Sequence, residues 1–161
     1  MKIKFFAIGG TIDKVYFDAL SNYQVGPPGI ESIIKEARVN FDYEVVSLLK
    51  KDSLDMTKED RNMIYEALLK EESKHIVITH GTDTMIETAM VLKAIEGKVI
   101  VLTGAMEPAC FKSSDASFNL GSAVAAVQTL SQGVYIAING RVFDPANVRK
   151  DRDLKQFTEN I

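Results

Sequence analysis

The stretch His75-Ile76-Val77-Ile78-Thr79-His80-Gly81-Thr82-Asp83-Thr84-Met85 decides the fold. Ile76 to Ile78 are apolar and β-branched, the composition of a parallel strand buried on both faces. The run breaks into Thr-His-Gly-Thr-Asp-Thr, and Met85, Thr88, Ala89 and Leu92 then recur at helical spacing. A strand, a tight turn and a helix beginning near Asp83 are predicted. In open α/β sheets, ligands bind at such junctions, outside the carboxyl ends of the strands. Gly81 allows a close backbone approach, and Thr82 or Asp83 suits a helix cap. On the plainest reading the two residues are caps and nothing more.

Working outward, the same grammar repeats. Ile3 to Ile8 read as a first strand ending in Gly9-Gly10-Thr11-Ile12. No G-K-[ST] follows and no third glycine stands at the right spacing, so a phosphate cradle or dinucleotide fingerprint is a poor match. Residues 13 to 29 show no clear period and read as a long loop, of the kind that serves as a lid. A short helix follows from about Ile30 to Ala37, then a strand over Phe41 to Leu49 and a polar turn, Asp52-Ser53-Leu54-Asp55. Thr57 and Asp60 form a near capping box for the next helix. Val99 to Leu102 is a further strand, closed by Thr103-Gly104-Ala105. Asp115 to Thr129 is an alanine-rich helix, Gly133 to Ile138 a fifth strand, and Arg141 to Phe143 pair beyond the turn at Asn139-Gly140. The remaining polar tail has no strong period. Strand and helix alternate, which predicts a three-layer α/β fold with a mostly parallel sheet and helices on both faces, Rossmann- or flavodoxin-like.

Composition adds exclusions. The 161 residues suit one domain with a three-layer core. A net charge of −3 without a Lys/Arg cluster speaks against nucleic acid as the main partner. No stretch reaches transmembrane length, so no membrane partner is expected. Cys110 is the single cysteine, compatible with a reducing cytoplasm, and no base stands near it in sequence to make it a nucleophile. Two scattered histidines and one cysteine make no metal site, and no cofactor is expected. The ends of four strands gather Gly10-Thr11, Asp52-Ser53, Thr82-Asp83 and Thr103-Gly104 along one sheet edge. Each turn alone is a cap; four together make a small-molecule pocket.

These residues resemble a known family. Gly9-Gly10-Thr11-Ile12 and His80-Gly81-Thr82-Asp83-Thr84 are similar to the two signature motifs of the bacterial-type L-asparaginases (asparaginase–glutaminase family). Ser21-Asn22-Tyr23-Gln24-Val25-Gly26 resembles the family's flexible loop, and Asp52-Ser53-Leu54-Asp55-Met56 its substrate-binding turn. Thr103-Gly104-Ala105-Met106, Phe118-Asn119-Leu120 and Asn139 to Lys150 resemble later segments in the same order. The resemblance implies an N-terminal asparaginase domain over residues 1–161, the family's second domain being absent. It implies side-chain amide hydrolysis to the acid and ammonia through an acyl-enzyme on Thr11, with Tyr23, Thr82, Asp83 and Lys150 as the other catalytic residues. Gly10, Asp52, Ser53, Leu54, Gly81 and Ala105 would bind an amino-acid amide. Lys150 stands either as a base or as an electrostatic anchor for Thr82.

Departures from the family pattern fall mainly on recognition. Leu54 stands where a polar residue such as Gln is common, Glu107 where Arg is usual, and the second domain's acidic contribution to the ammonium site has no counterpart here. Slow or low-affinity turnover of free L-asparagine is therefore expected, with preference for an amide of larger or less charged head group. Self-association into a homo-oligomer is expected to cover apolar helix faces. The rival reading is a binding or regulatory remnant that keeps the pocket without turnover.

Overall fold

In the computed structural model, which describes residues 1–20 and 22–160, a six-stranded sheet carries the molecule. In chain order the strands are β1 (Lys2–Gly9), β2 (Lys14–Phe17), β3 (Asn22–Val25), β4 (Asp42–Lys51), β5 (His75–Thr79), β6 (Val99–Thr103), β7 (Gly133–Ile138), β8 (Arg141–Phe143), β9 (Val148–Asp151) and β10 (Gln156–Glu159). The helices are α1 (Ile30–Ala37), α2 (Lys58–Lys70), α3 (Met85–Leu92) and α4 (Ala116–Thr129). The main sheet runs β4-β1-β5-β6-β7-β8, parallel throughout except for β8, which returns antiparallel to β7.

That order fixes where a ligand sits. The chain leaves β1 to build β4 on one side of it and then crosses back to build β5 on the other. The switch of direction therefore lies between β1 and β5, where adjacent loops diverge and leave a crevice. Thr11 follows β1 and Thr82 follows β5.

Alternation along the central strands divides the core in two. Phe6, Ile8, Ile76, Ile78, Ile100 and Leu102 face one layer, which Ile64 and Leu68 of α2 and Met85, Ala89 and Leu92 of α3 complete. Ile3, Phe5, Val77 and Val101 face the other, with Ile30 and Ile34 of α1 and Leu120, Ala123 and Val127 of α4. The alanines of α4 let that helix lie close on the sheet. At α2, Thr57 accepts from the Asp60 backbone N–H while Asp60 accepts from that of Thr57, completing the capping box.

Two expectations are corrected. Residues 13 to 29 are not an unstructured loop: β2 and β3 pair antiparallel from Lys14↔Val25 to Phe17↔Asn22. Ser21, part of the segment compared with a flexible loop, lies outside the described residues, as does Ile161. The polar tail is likewise an antiparallel hairpin, β9 with β10. Both pairs satisfy backbone hydrogen bonds while keeping mostly solvent-facing side chains, so no apolar period announces them. Among the described residues, no helix is long and apolar enough to cross a membrane.

Candidate active site

Three turns at the carboxyl edge of the sheet are packed backbone against backbone. Gly10 has φ +86°, and a Cβ there would fall 2.4 Å from the Gly81 Cα and N. A Cβ on Gly81 would in turn fall 2.5 Å from the Ser53 Cβ. The turns after β1, β5 and β4 thus close on one another only because two of them carry glycine.

The helix after β5 begins at Met85, with Thr84 as its N-cap residue. Neither Thr82 nor Asp83 caps it, which corrects the plainest reading of the motif. Thr84 instead donates its hydroxyl to the Ser53 carbonyl at 2.7 Å, tying the β5 turn to the β4 turn. Thr82 and Asp83 are left for Lys150, which lies 68 and 67 positions away on β9. Lys150 Nζ donates to Thr82 Oγ1 at 2.7 Å and to Asp83 Oδ1 at 2.9 Å. The Thr82 hydroxyl itself points toward Met106 Sδ at 3.8 Å. Thr82 is buried, and the Asp83–Lys150 pair is largely shielded.

Thr11, Thr82, Asp83, Lys150, Arg152 and Lys155 together line a cavity of about 270 Å³, with Met106 completing the wall. Two threonines from opposite sides of the switch point therefore line one cavity with a lysine and a carboxylate. A threonine hydroxyl is a weak nucleophile until a neighbouring group takes its proton; the charged group within hydrogen-bond reach of Thr82 is the Lys150 ammonium.

Sequence reasoning passed over the support beneath Thr82. His80 is fully buried. Its Nδ1 lies 2.8 Å from the Gly81 carbonyl and its Nε2 2.8 Å from Thr88 Oγ1. Since a carbonyl only accepts, Nδ1 carries the proton and Nε2 accepts from the Thr88 hydroxyl. Arg61 Nε donates to the same Thr88 Oγ1 at 3.2 Å. Burial pushes the imidazole down to about 4, so it is neutral at physiological pH. This chain reaches from α2 to the peptide that precedes Thr82. Its sequence signal was a histidine between a buried strand and a glycine, a place where an unpaired imidazole cannot remain.

The turn carrying Thr11 is supported differently. Residues Thr11–Asp13 make one 3₁₀ turn. Asp13 is buried, and its Oδ1 accepts from the Gly29 N–H at 2.7 Å while its carbonyl accepts from Gly26 N–H at 2.7 Å. Asp13 thus closes the base of the β2–β3 hairpin. Burial pushes its carboxyl up to about 7 against the pull of the Gly29 N–H. Tyr23 sits out on the hairpin, with its ring 5.5 Å from Tyr16 and 5.6 Å from Phe111, half-exposed and off the cavity wall.

The residues expected to bind substrate, Gly10, Asp52, Ser53, Leu54, Gly81 and Ala105, stand in the neighbouring turns and none of them lines this cavity. Ser53 is buried against Gly81. Asp52 accepts from the Leu54 N–H at 3.1 Å and pairs with Lys14 at 2.9 Å, a cation that holds its carboxyl below the usual range. Leu54 is exposed and off the cavity wall. Ala105 is buried with Ile12 and Ala116 behind the site. Asp115 and Asn119 hold that rear wall: Asp115 accepts from the Met106 N–H at 3.0 Å, and Asn119 Nδ2 donates to the Gly104 carbonyl at 2.9 Å. Among the described residues, no three His, Cys, Asp or Glu side chains gather closely enough to hold a metal ion.

Comparison with known proteins gives a consistent result. Residues 2–157 match the family described as Asparaginase, N-terminal. The chain is 34% identical to the probable L-asparaginase 4 of Schizosaccharomyces pombe, covering 85% of this chain and 42% of that protein. It is 32% identical to L-asparaginase 2 of Escherichia coli, covering 92% and 46%. It also superposes on the thermostable L-asparaginase from Thermococcus kodakarensis with a TM-score of 0.85 and 28% identity, over 99% of this chain and 51% of that one. The chain spans less than half the length of these two curated relatives.

Proposed function

The chain belongs to the asparaginase family, and we propose that it is the nucleophile-bearing domain of an amidohydrolase that converts a side-chain amide to the acid and ammonia. The observation that carries this reading is the single cavity shared by Thr11, Thr82, Asp83 and Lys150. In the proposed sequence the Thr11 oxygen attacks the amide carbonyl carbon and its proton passes to a neighbouring base. The C–N bond breaks, ammonia leaves with the transferred proton, and water then hydrolyses the threonyl ester to release the acid. Backbone N–H groups beside Gly10 and Gly81 stabilise the oxyanion. The role assigned to Lys150 is to orient Thr82 and Asp83, as its two short hydrogen bonds suit.

Ammonia release across a panel of small amides tests this reading. Turnover that Thr11→Ala and Lys150→Met each abolish is the expected result; turnover that survives Thr11→Ala overturns the assignment. The competing reading, amino-acid binding without turnover, is favoured by one observation: Tyr23 lies away from the cavity. Binding of asparagine with no ammonia released by the full chain would select it. Residues 1–161 are proposed to act as one unit in the cytoplasm, where the exposed thiol of Cys110 stays reduced. Self-association is also proposed, supported by an apolar groove of about 330 Å³ between α1 and α4, lined by Ile33, Val39, Leu120 and Val124. Sedimentation showing only monomer at high micromolar concentration would remove that element.

A further inference from the structure

The charge on the cavity wall is lopsided. Lys150, Arg152 and Lys155 line it, and Asp83 is the only carboxylate among its lining residues. That carboxylate is already engaged: Oδ1 accepts from Lys150 at 2.9 Å and lies 3.7 Å from Arg152. Among the described residues, no carboxylate lies within 4 Å of the Lys155 ammonium. Glu107, which borders a neighbouring cavity together with Lys155, accepts instead from the Ser113 hydroxyl at 2.7 Å. Lys155 is exposed in the β9–β10 turn, where its backbone is left-handed at φ +51°. A free ammonium entering this cavity meets a carboxylate held by two cations; an anion meets cations with capacity to spare.

Space points the same way. A second cavity of about 570 Å³ shares Asp83, Lys150 and Arg152 with the first and runs on over Ile86, Met90 and Val148 to Arg149, with Glu87 as the one further carboxylate on its wall. A group attached to the substrate's amine therefore has an apolar floor to lie on and a cationic end to reach. Building on the amidohydrolase reading, we propose that the site selects an amide whose amine is acylated and whose acyl group carries a further carboxylate, held by Arg152 and Lys155. Lys150 stays with Thr82 and Asp83, so recognition and chemistry fall on different cations of the β9–β10 hairpin.

The test compares N-succinyl-L-asparagine, N-acetyl-L-asparagine and L-asparagine on the full chain, by ammonia release and by calorimetric binding. The expected order of kcat/KM is succinyl above acetyl above free amine, with about tenfold between the first two, the size of one charge-assisted contact. Added salt should narrow that gap, because the contacts are partly exposed. In the Arg152→Gln/Lys155→Asn double variant the succinyl-to-acetyl ratio should collapse toward one; Asn is chosen because it tolerates the left-handed backbone. The ratio is taken on one preparation, so a partly unfolded variant does not distort it. Equal use of succinyl and acetyl compounds by the unaltered chain, or preference for free asparagine, overturns the inference while leaving amide hydrolysis standing. Ammonia release unaffected by Thr11→Ala overturns the hydrolytic reading instead. If no amide is turned over, the binding order of the same three compounds still decides the preference.

Discussion

The two turns that face each other across the switch point carry similar residues but are supported in opposite ways. The turn after β5 rests on a fully buried histidine, which holds the Gly81 carbonyl from below while Thr84 ties it sideways to Ser53. The turn after β1 rests on a buried aspartate, whose hydrogen bonds close the base of an exposed hairpin. The first support has hydrogen-bond partners at both ring nitrogens and is comfortable neutral. The second is an acid with one backbone donor, less comfortable when charged. One wall of the cavity thus rests on a neutral imidazole bonded at both nitrogens and the other on a buried, titratable carboxyl, and the difference is open to experiment.

The largest effect should come from removing the contact between the turns. Gly10→Ala places a methyl group 2.4 Å from the Gly81 backbone at a φ of +86°. Overpacking and backbone strain together should cost about 3–5 kcal/mol, read by urea unfolding or by loss of soluble protein. An unaltered midpoint would mean that the turns are not in contact.

His80→Ala should cost about 2–4 kcal/mol, because it leaves a cavity and strands the Gly81 carbonyl and Thr88 hydroxyl. The pH dependence sharpens the point. The unfolded imidazole takes a proton below about 6.5, whereas the folded one does so only near 4. Between these values the unfolded state binds more protons, so stability falls as pH falls through that window. The variant should lack this part of the acid limb in melts taken from pH 4 to 7.

Asp13 has the reverse sign. Its unfolded carboxyl ionises near 4 and its folded one near 7, so in that window the folded state binds more protons and stability falls as pH rises. Asp13→Asn keeps an acceptor for the Gly29 N–H and removes the charge. It should stabilise the chain by on the order of 2 kcal/mol at pH 8 and by little below pH 4. A gain independent of pH would separate the effect from titration.

The contrast between the two walls also explains what was legible in the sequence. Ile76 to Thr84 announced itself because a strand buried on both faces shows in composition and glycine marks the turn. Thr57 and Asp60 were readable because a capping box is local. The hairpin of Lys14 to Val25 was not, since Val15, Tyr16, Phe17 and Tyr23 are all exposed and no face of it alternates into a core. The cavity needed Lys150 and Thr82 to be matched across 68 positions; only the family resemblance paired them, for spacing carries no such signal. Arg61, 27 positions from Thr88, had no local feature to join it to the site, and the same holds for Arg152 and Lys155 on a polar turn.

The smallest structural change tests the hairpin side of the cavity most selectively. The Tyr23 ring packs edgewise on Tyr16 and Phe111, and its hydroxyl is not needed for either contact. Tyr23→Phe should therefore leave stability within about 0.5 kcal/mol, as for a surface change that removes no packing. If the hairpin closes over the cavity during turnover, the hydroxyl then comes to Thr11, and its loss should lower kcat about a hundredfold or more with a small change in KM. The Tyr16→Ala variant supplies the counterpart: it removes the ring that braces Tyr23 and should raise KM as well, because the closed hairpin becomes harder to hold. A Tyr23→Phe protein with unaltered kcat on its best amide would show that the hairpin contributes shape alone. The chemistry would then lie entirely with the turn after β5 and Thr11.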